Sequence, residues 1–167
     1  MLSIRRNTFE TNSSSTHSLN FEENNNYLPI IGNIITIKFI DTDTDFIYAS
    51  LSEKVSYLVG HIIDNYKYNC ETYLELKDAV EEDWRYKDIE NYIKNTFNIS
   101  IRLPKNYSSK KDLENIVYIN HQLTESYFED VLDDLLSTYN ISTSGLTFVD
   151  KLAKILDKDY YICIGRD

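Results

Sequence analysis

The chain has 167 residues, 42% hydrophobic and 26% charged. That is long enough to bury a core without disulfides or metals, and balanced as globular chains are rather than disordered ones. Its 27 Asp and Glu against 17 Lys and Arg give a net charge of −10, which disfavours direct binding to a nucleic-acid backbone and favours a basic protein partner. No apolar run reaches the roughly 18 residues of a membrane span, and the charged, hydroxyl-rich opening is unlike a signal peptide, so a cytoplasmic protein without a membrane partner is expected.

Four Gly and two Pro predict long regular segments joined by polar loops. In chain order, residues 2–6 (LSIRR) alternate briefly, and residues 16–21 (THSLNF) alternate strictly with His17, Leu19 and Phe21 on one side. Period two predicts strands. The polar stretch between them makes the opening a hairpin candidate with a long loop. Residues 30–40 (IIGNIITIKFI) are rich in β-branched side chains and predict a buried strand, interrupted near Gly32 and ended by DTDTD at 41–45.

From Ser52, the expected N-cap, the apolar stripe Val55, Leu58, Val59, Ile62, Ile63 and Tyr66 predicts a helix to about Tyr68. Over 71–97 the stripe drifts around EEDW, which fits two helices better than one. Residues 101–103 and 114–122 predict strands, 124–138 a helix, 148–157 a helix capped by Thr147, and 160–165 a final strand. The mixed, non-alternating order predicts a single α+β domain over 1–167, with one sheet of about four or five strands and helices packed against it.

Fourteen tyrosines are the amphipathic currency of interfaces, but Tyr, Asn, Ile and Lys are also what an AT-rich genome writes. Only locally placed tyrosines therefore count as evidence. Cys70 and Cys163 are expected as free, buried thiols. DTDTD has the alternating carboxylates of a calcium loop, yet Phe46 stands where the loop needs Gly and Ser52 where it needs Glu, so a solvated acidic turn is the better reading. His17, His61 and His121 lie in no metal-ligand spacing, and His61 beside an apolar stripe reads as structural. No metal or cofactor is expected.

Three stretches carry functional candidates. The first is NSSST at 12–16, between Arg5 and Arg6 on one side and His17 on the other. Ser13, Ser14, Ser15, Thr16 and local backbone amides can cradle an anion, with Glu10 as the nearby carboxylate, and the same residues also suit a plain turn. The run RRNTFETNSSSTHSL, residues 5–19, resembles the opening of uncharacterised phage and mobile-element proteins of low-GC bacteria. That resemblance implies a phage-like origin and names no substrate.

The second is the helix from Thr124, where Glu125, Glu129 and Asp133 follow at i, i+4 and i+8, Asp130 and Asp134 form a neighbouring row, and no Lys or Arg lies between. Like charges at this spacing repel, so the face is either solvated or imitates a phosphate row for a basic groove. The third is EEDWRYKD at 81–88, where Trp84 and Tyr86 are interface-anchoring types as well as core types.

Two functions follow. One is a small acidic binding protein that docks on a basic surface of a host defence nucleoprotein, in the manner of anti-CRISPR inhibitors, through the acidic helix with Trp84 and Tyr86. The other is a nucleotide- or phosphate-binding enzyme built on the opening loop, which requires those hydroxyls and arginines to converge in one cleft.

Overall fold

The computed structural model describes residues 16–21, 33–37, 40–41, 46–103, 117–118, 128–137 and 140–165. It is a mixed helix-and-strand protein. In chain order the elements are β1 (Thr16–Phe21), β2 (Ile34–Thr36), β3 (Ile40–Asp41), β4 (Phe46–Tyr48), α1 (Leu51–Lys67), α2 (Tyr73–Glu82), α3 (Trp84–Phe97), β5 (Ser100–Arg102), β6 (Val117–Tyr118), α4 (Phe128–Ser137), α5 (Phe148–Leu156) and β7 (Tyr160–Gly165).

Among the described residues the strands form three groups. β7 lies between β1 and β4 in an antiparallel sheet, with His17 opposite Ile164, Leu19 opposite Ile162, and Tyr48 also opposite Ile162. β2 pairs parallel to β5, and β3 parallel to β6. The alternation at 16–21 therefore does mark a strand, and its described partner is the last strand, far along the chain. The expected strand at 2–6 lies outside the described residues.

α1 is the central helix. Val55, Tyr57, Leu58, Val59 and Ile62 are fully buried, and the helix packs against α2, α3, α5 and the strands β2, β3, β4 and β6. Full burial of such side chains contributes about 1.5–3 kcal/mol each. The cap is Ser50, two residues before the expected Ser52. Glu53 Nα donates to Ser50 Oγ at 3.3 Å while Ser50 Nα donates to Glu53 Oε2 at 2.9 Å. Ser50 wins because it has a carboxylate three residues on, completing a reciprocal capping box, whereas Ser52 is followed at that position by Val55.

The break within 71–97 falls at Asp83, whose backbone is extended (φ −62°, ψ 129°) between α2 and α3. Asn98, left-handed at φ 55°, ends α3, a conformation Asn tolerates better than most residues. Thr147 caps α5 as expected, in a second capping box with Asp150. One cluster of buried side chains runs from Ile35 through α1, Leu76, Ile89 and Ile93 to Leu132, Leu135, Leu152, Ile155 and Ile162.

Candidate interaction surface

The surface is organised by Asp83. Its carboxylate accepts from Arg85 Nα at 2.8 Å, from the Arg85 guanidinium at 2.5–3.2 Å, and from the Tyr66 hydroxyl at 2.9 Å. Burial alone would raise the carboxyl pKa, but the hydrogen bonds from Arg85 and Tyr66 outweigh it and hold the group below its usual value. This clamp caps α3 and fixes its first turn.

Trp84, the first residue of α3, is thereby held at the surface with 49% of its area exposed. It meets Phe148, the first residue of α5, edge to face at 5.1 Å between ring centroids. Phe148 lies 6.0 Å from Phe128 of α4, and the Arg85 guanidinium sits 5.4 Å from the centre of that Phe128 ring. The contacts continue inward through His61 and Tyr57 to Tyr48 of β4. His61, buried against Tyr57, is thus the structural histidine its position predicts. Val149, next to Phe148 at the start of α5, is 44% exposed.

The acidic helix adjoins this patch through α5. Lys151, one turn beyond Phe148, reaches Asp133 Oδ1 at 2.5 Å. This corrects the picture of a carboxylate row without compensation: none lies within α4, but the neighbouring helix supplies a cation to Asp133. Asp130 and Asp134 are exposed. The Asp134 pKa is pushed up, first by burial and then by the like charges of Asp130 and Asp133. Glu129 contributes its backbone to α4, its side chain being outside the description, and Glu125 lies outside the described residues altogether.

Tyr86 is corrected from interface to core. It is 3% exposed, and burial, ahead of the charges of Glu90 and Glu81, pushes its phenol well above the usual range. Two positions on from the exposed Trp84, it points to the opposite side of the helix, as helical geometry requires.

Of the anion-loop candidates, Arg5, Arg6, Glu10, Ser13, Ser14 and Ser15 lie outside the described residues. Thr16 and His17 have their backbones in β1, opposite Gly165 and Ile164. Asp41 of DTDTD takes part in the β3–β6 ladder opposite Tyr118, and His121 lies outside the description. Among the described residues no cluster of His, Cys, Asp or Glu could hold a metal ion, and no helix is long and apolar enough to cross a membrane. Cys70 is a free, buried thiol.

Sequence reasoning missed Lys54. Fully buried in α1, it donates from Nζ to the Ile155 carbonyl at 3.2 Å and the Asp157 carbonyl at 2.5 Å, closing the C-terminal end of α5. Its position one residue before Val55 and four before Leu58, inside the apolar stripe, was the available signal. The packing of Phe148 on Trp84 carries no comparable signal, since it depends on two distant helices meeting. No family model, curated protein or solved structure matches this chain.

Proposed function

We propose that this is a small acidic binding protein that docks on a basic surface of a host nucleoprotein, in the manner of phage-encoded anti-defence inhibitors such as anti-CRISPR proteins. The observation that carries the reading is that one helix, α5, meets both an exposed tryptophan and the acidic helix: Trp84 packs on Phe148, and one turn along α5 Lys151 pairs with Asp133 of α4. Aromatic anchors in an apolar patch with a charged rim are the anatomy of a protein interface. The net charge of −10 steers the molecule to basic partners, and the phage-like opening at residues 5–19 supports the anti-defence class and a host-cytoplasmic setting. The finer architecture that fits this reading is a single α+β domain over residues 1–167 in which the three strand groups, seven strand segments among the described residues rather than the expected four or five, are parts of one sheet.

The test begins with a pull-down from the natural host, followed by affinity for the captured nucleoprotein across a salt series. Binding should weaken steeply with salt, because exposed charge pairs are screened within about 10 Å at 0.1 M ionic strength. Asp130→Lys combined with Asp134→Lys should abolish binding while the melting curve stays intact. An affinity indifferent to both salt and charge reversal overturns the reading.

A further inference from the structure

Between α2 and the paired strands β2 and β5 lies a pocket of about 510 Å³, a size typical of small-molecule sites. On the helix side it is lined by Tyr73, Lys77 and Glu81, which follow at i, i+4 and i+8 and so form one row along α2, beside the buried Leu76 and Val80. On the strand side it is lined by Ile34 of β2 and by Ile101 and Arg102 of β5. The two strands run parallel, with Ile35 opposite Ile101 and Thr36 opposite Arg102. Their alternation buries Ile35 and Ile101 and leaves Ile34 and Arg102 exposed. An apolar wall and a cation thus share one concavity. Lys77 Nζ lies 3.4 Å from Glu81 Oε1, an exposed pair whose charges offset each other. Arg102 lines the same pocket, and among the described residues no carboxylate pairs with it. Two cations against one carboxylate leave the lining with a single net positive charge, in a chain whose net charge is −10.

We propose that this pocket binds a small apolar carboxylate with one negative charge, an aryl or branched-alkyl acid. The Arg102 guanidinium takes the carboxylate, for which its fork of N–H donors is matched, and Ile34, Ile101 and the Tyr73 ring cover the apolar body. The charge of the lining selects the ligand. A dianion brings a second charge that nothing in the pocket neutralises and that Glu81 repels, a cation is repelled by Arg102, and a neutral molecule of the same shape forgoes the charge-assisted hydrogen bonds. The pocket shares no residue with the surface around Trp84, so this binding activity is separate from the partner docking proposed above and stands or falls without it.

The experiment titrates the full chain with 1-naphthylacetate, its neutral isostere 1-naphthylacetamide, the dianion 1-naphthyl phosphate, and acetate, which lacks the apolar body. Affinity is read by calorimetry and location by amide shifts in NMR spectra of the unaltered protein. The expected result is binding of naphthylacetate at least tenfold tighter than any of the other three, with shifts centred on residues 34–36, 73–81 and 100–103. Arg102→Gln should lose about tenfold and Arg102→Lys less, and Ile34→Thr should weaken naphthylacetate while leaving acetate unchanged. Both residues are exposed, so the variants should keep their melting temperatures, and the amide shifts locate the site without any variant. Absence of naphthylacetate binding at millimolar concentration, shifts confined to other residues, or equal affinity for naphthylacetate and naphthylacetamide overturns the proposal. Tighter binding of naphthyl phosphate than of naphthylacetate overturns it as well, since the pocket would then select a dianion.

Discussion

Asp83 shows how much one side chain can organise. It caps α3, pairs with Arg85 and accepts from Tyr66, so Asp83→Ala removes a cap and leaves a half-buried guanidinium without its carboxylate. The expected loss is about 2–4 kcal/mol, read as a lower urea midpoint. Because its folded pKa is depressed, the stability Asp83 contributes is present above the unfolded carboxylate value and is lost as pH falls through the lower folded one. Lys54 works in the same direction with pH, in a higher window, because its buried ammonium opposes folding. Burial, only partly offset by Asp157 and Asp159, brings its pKa from 10.5 to about 8. Between those values the unfolded chain binds a proton that the folded chain does not, so stability rises with pH. The gain from pH 7 to pH 9 should be on the order of 1 kcal/mol, seen as a rise in melting temperature that disappears in Lys54→Met. An equal rise in that variant would remove Lys54 from the explanation.

At the scale of the element, α4 is a helix whose exposed face works against itself. The like charges of Asp130 and Asp133 bear on Asp134, and Asp133 is paired with Lys151 of the neighbouring helix. Asp134→Lys places a cation four residues after Asp130, the favoured order for an i, i+4 pair, and ends the repulsion with Asp133. The isolated protein should gain about 0.5 kcal/mol, measurable by chemical denaturation. A loss of stability instead would mean that Asp134 supports the fold. The two capping boxes illustrate how far elements are written locally: Thr147 with Asp150, and Ser50 with Glu53, each pair a hydroxyl with a carboxylate three residues on, a pattern that Ser52 lacks.

Across the whole molecule, the longest sequence separation joins the first described strand to the last. β1 is held antiparallel to β7, so amides of residues 16–21 that face β7 should exchange slowly, and amides facing away quickly. Hydrogen exchange followed residue by residue checks this. Complete exchange of all six at the fastest measurable time would mean that β1 is not docked in solution.

The sequence by itself determined what depends on near neighbours. Period-two alternation at 16–21, the apolar run at 160–165, the 3.6-residue stripe of α1, the Thr147 cap and the break before Trp84 are all set within a few residues of chain, and all are legible in it. Only the tertiary structure decided what depends on meetings between distant segments. It alone turned Trp84 outward and Tyr86 inward, because which side of α3 is covered depends on what α5 and the core present to it. It alone brought Lys151 to Asp133 and Lys54 to the carbonyls that end α5. Periodicity shows that a face exists; the packing of other elements decides which face is buried and which charge is compensated, and no local pattern encodes that.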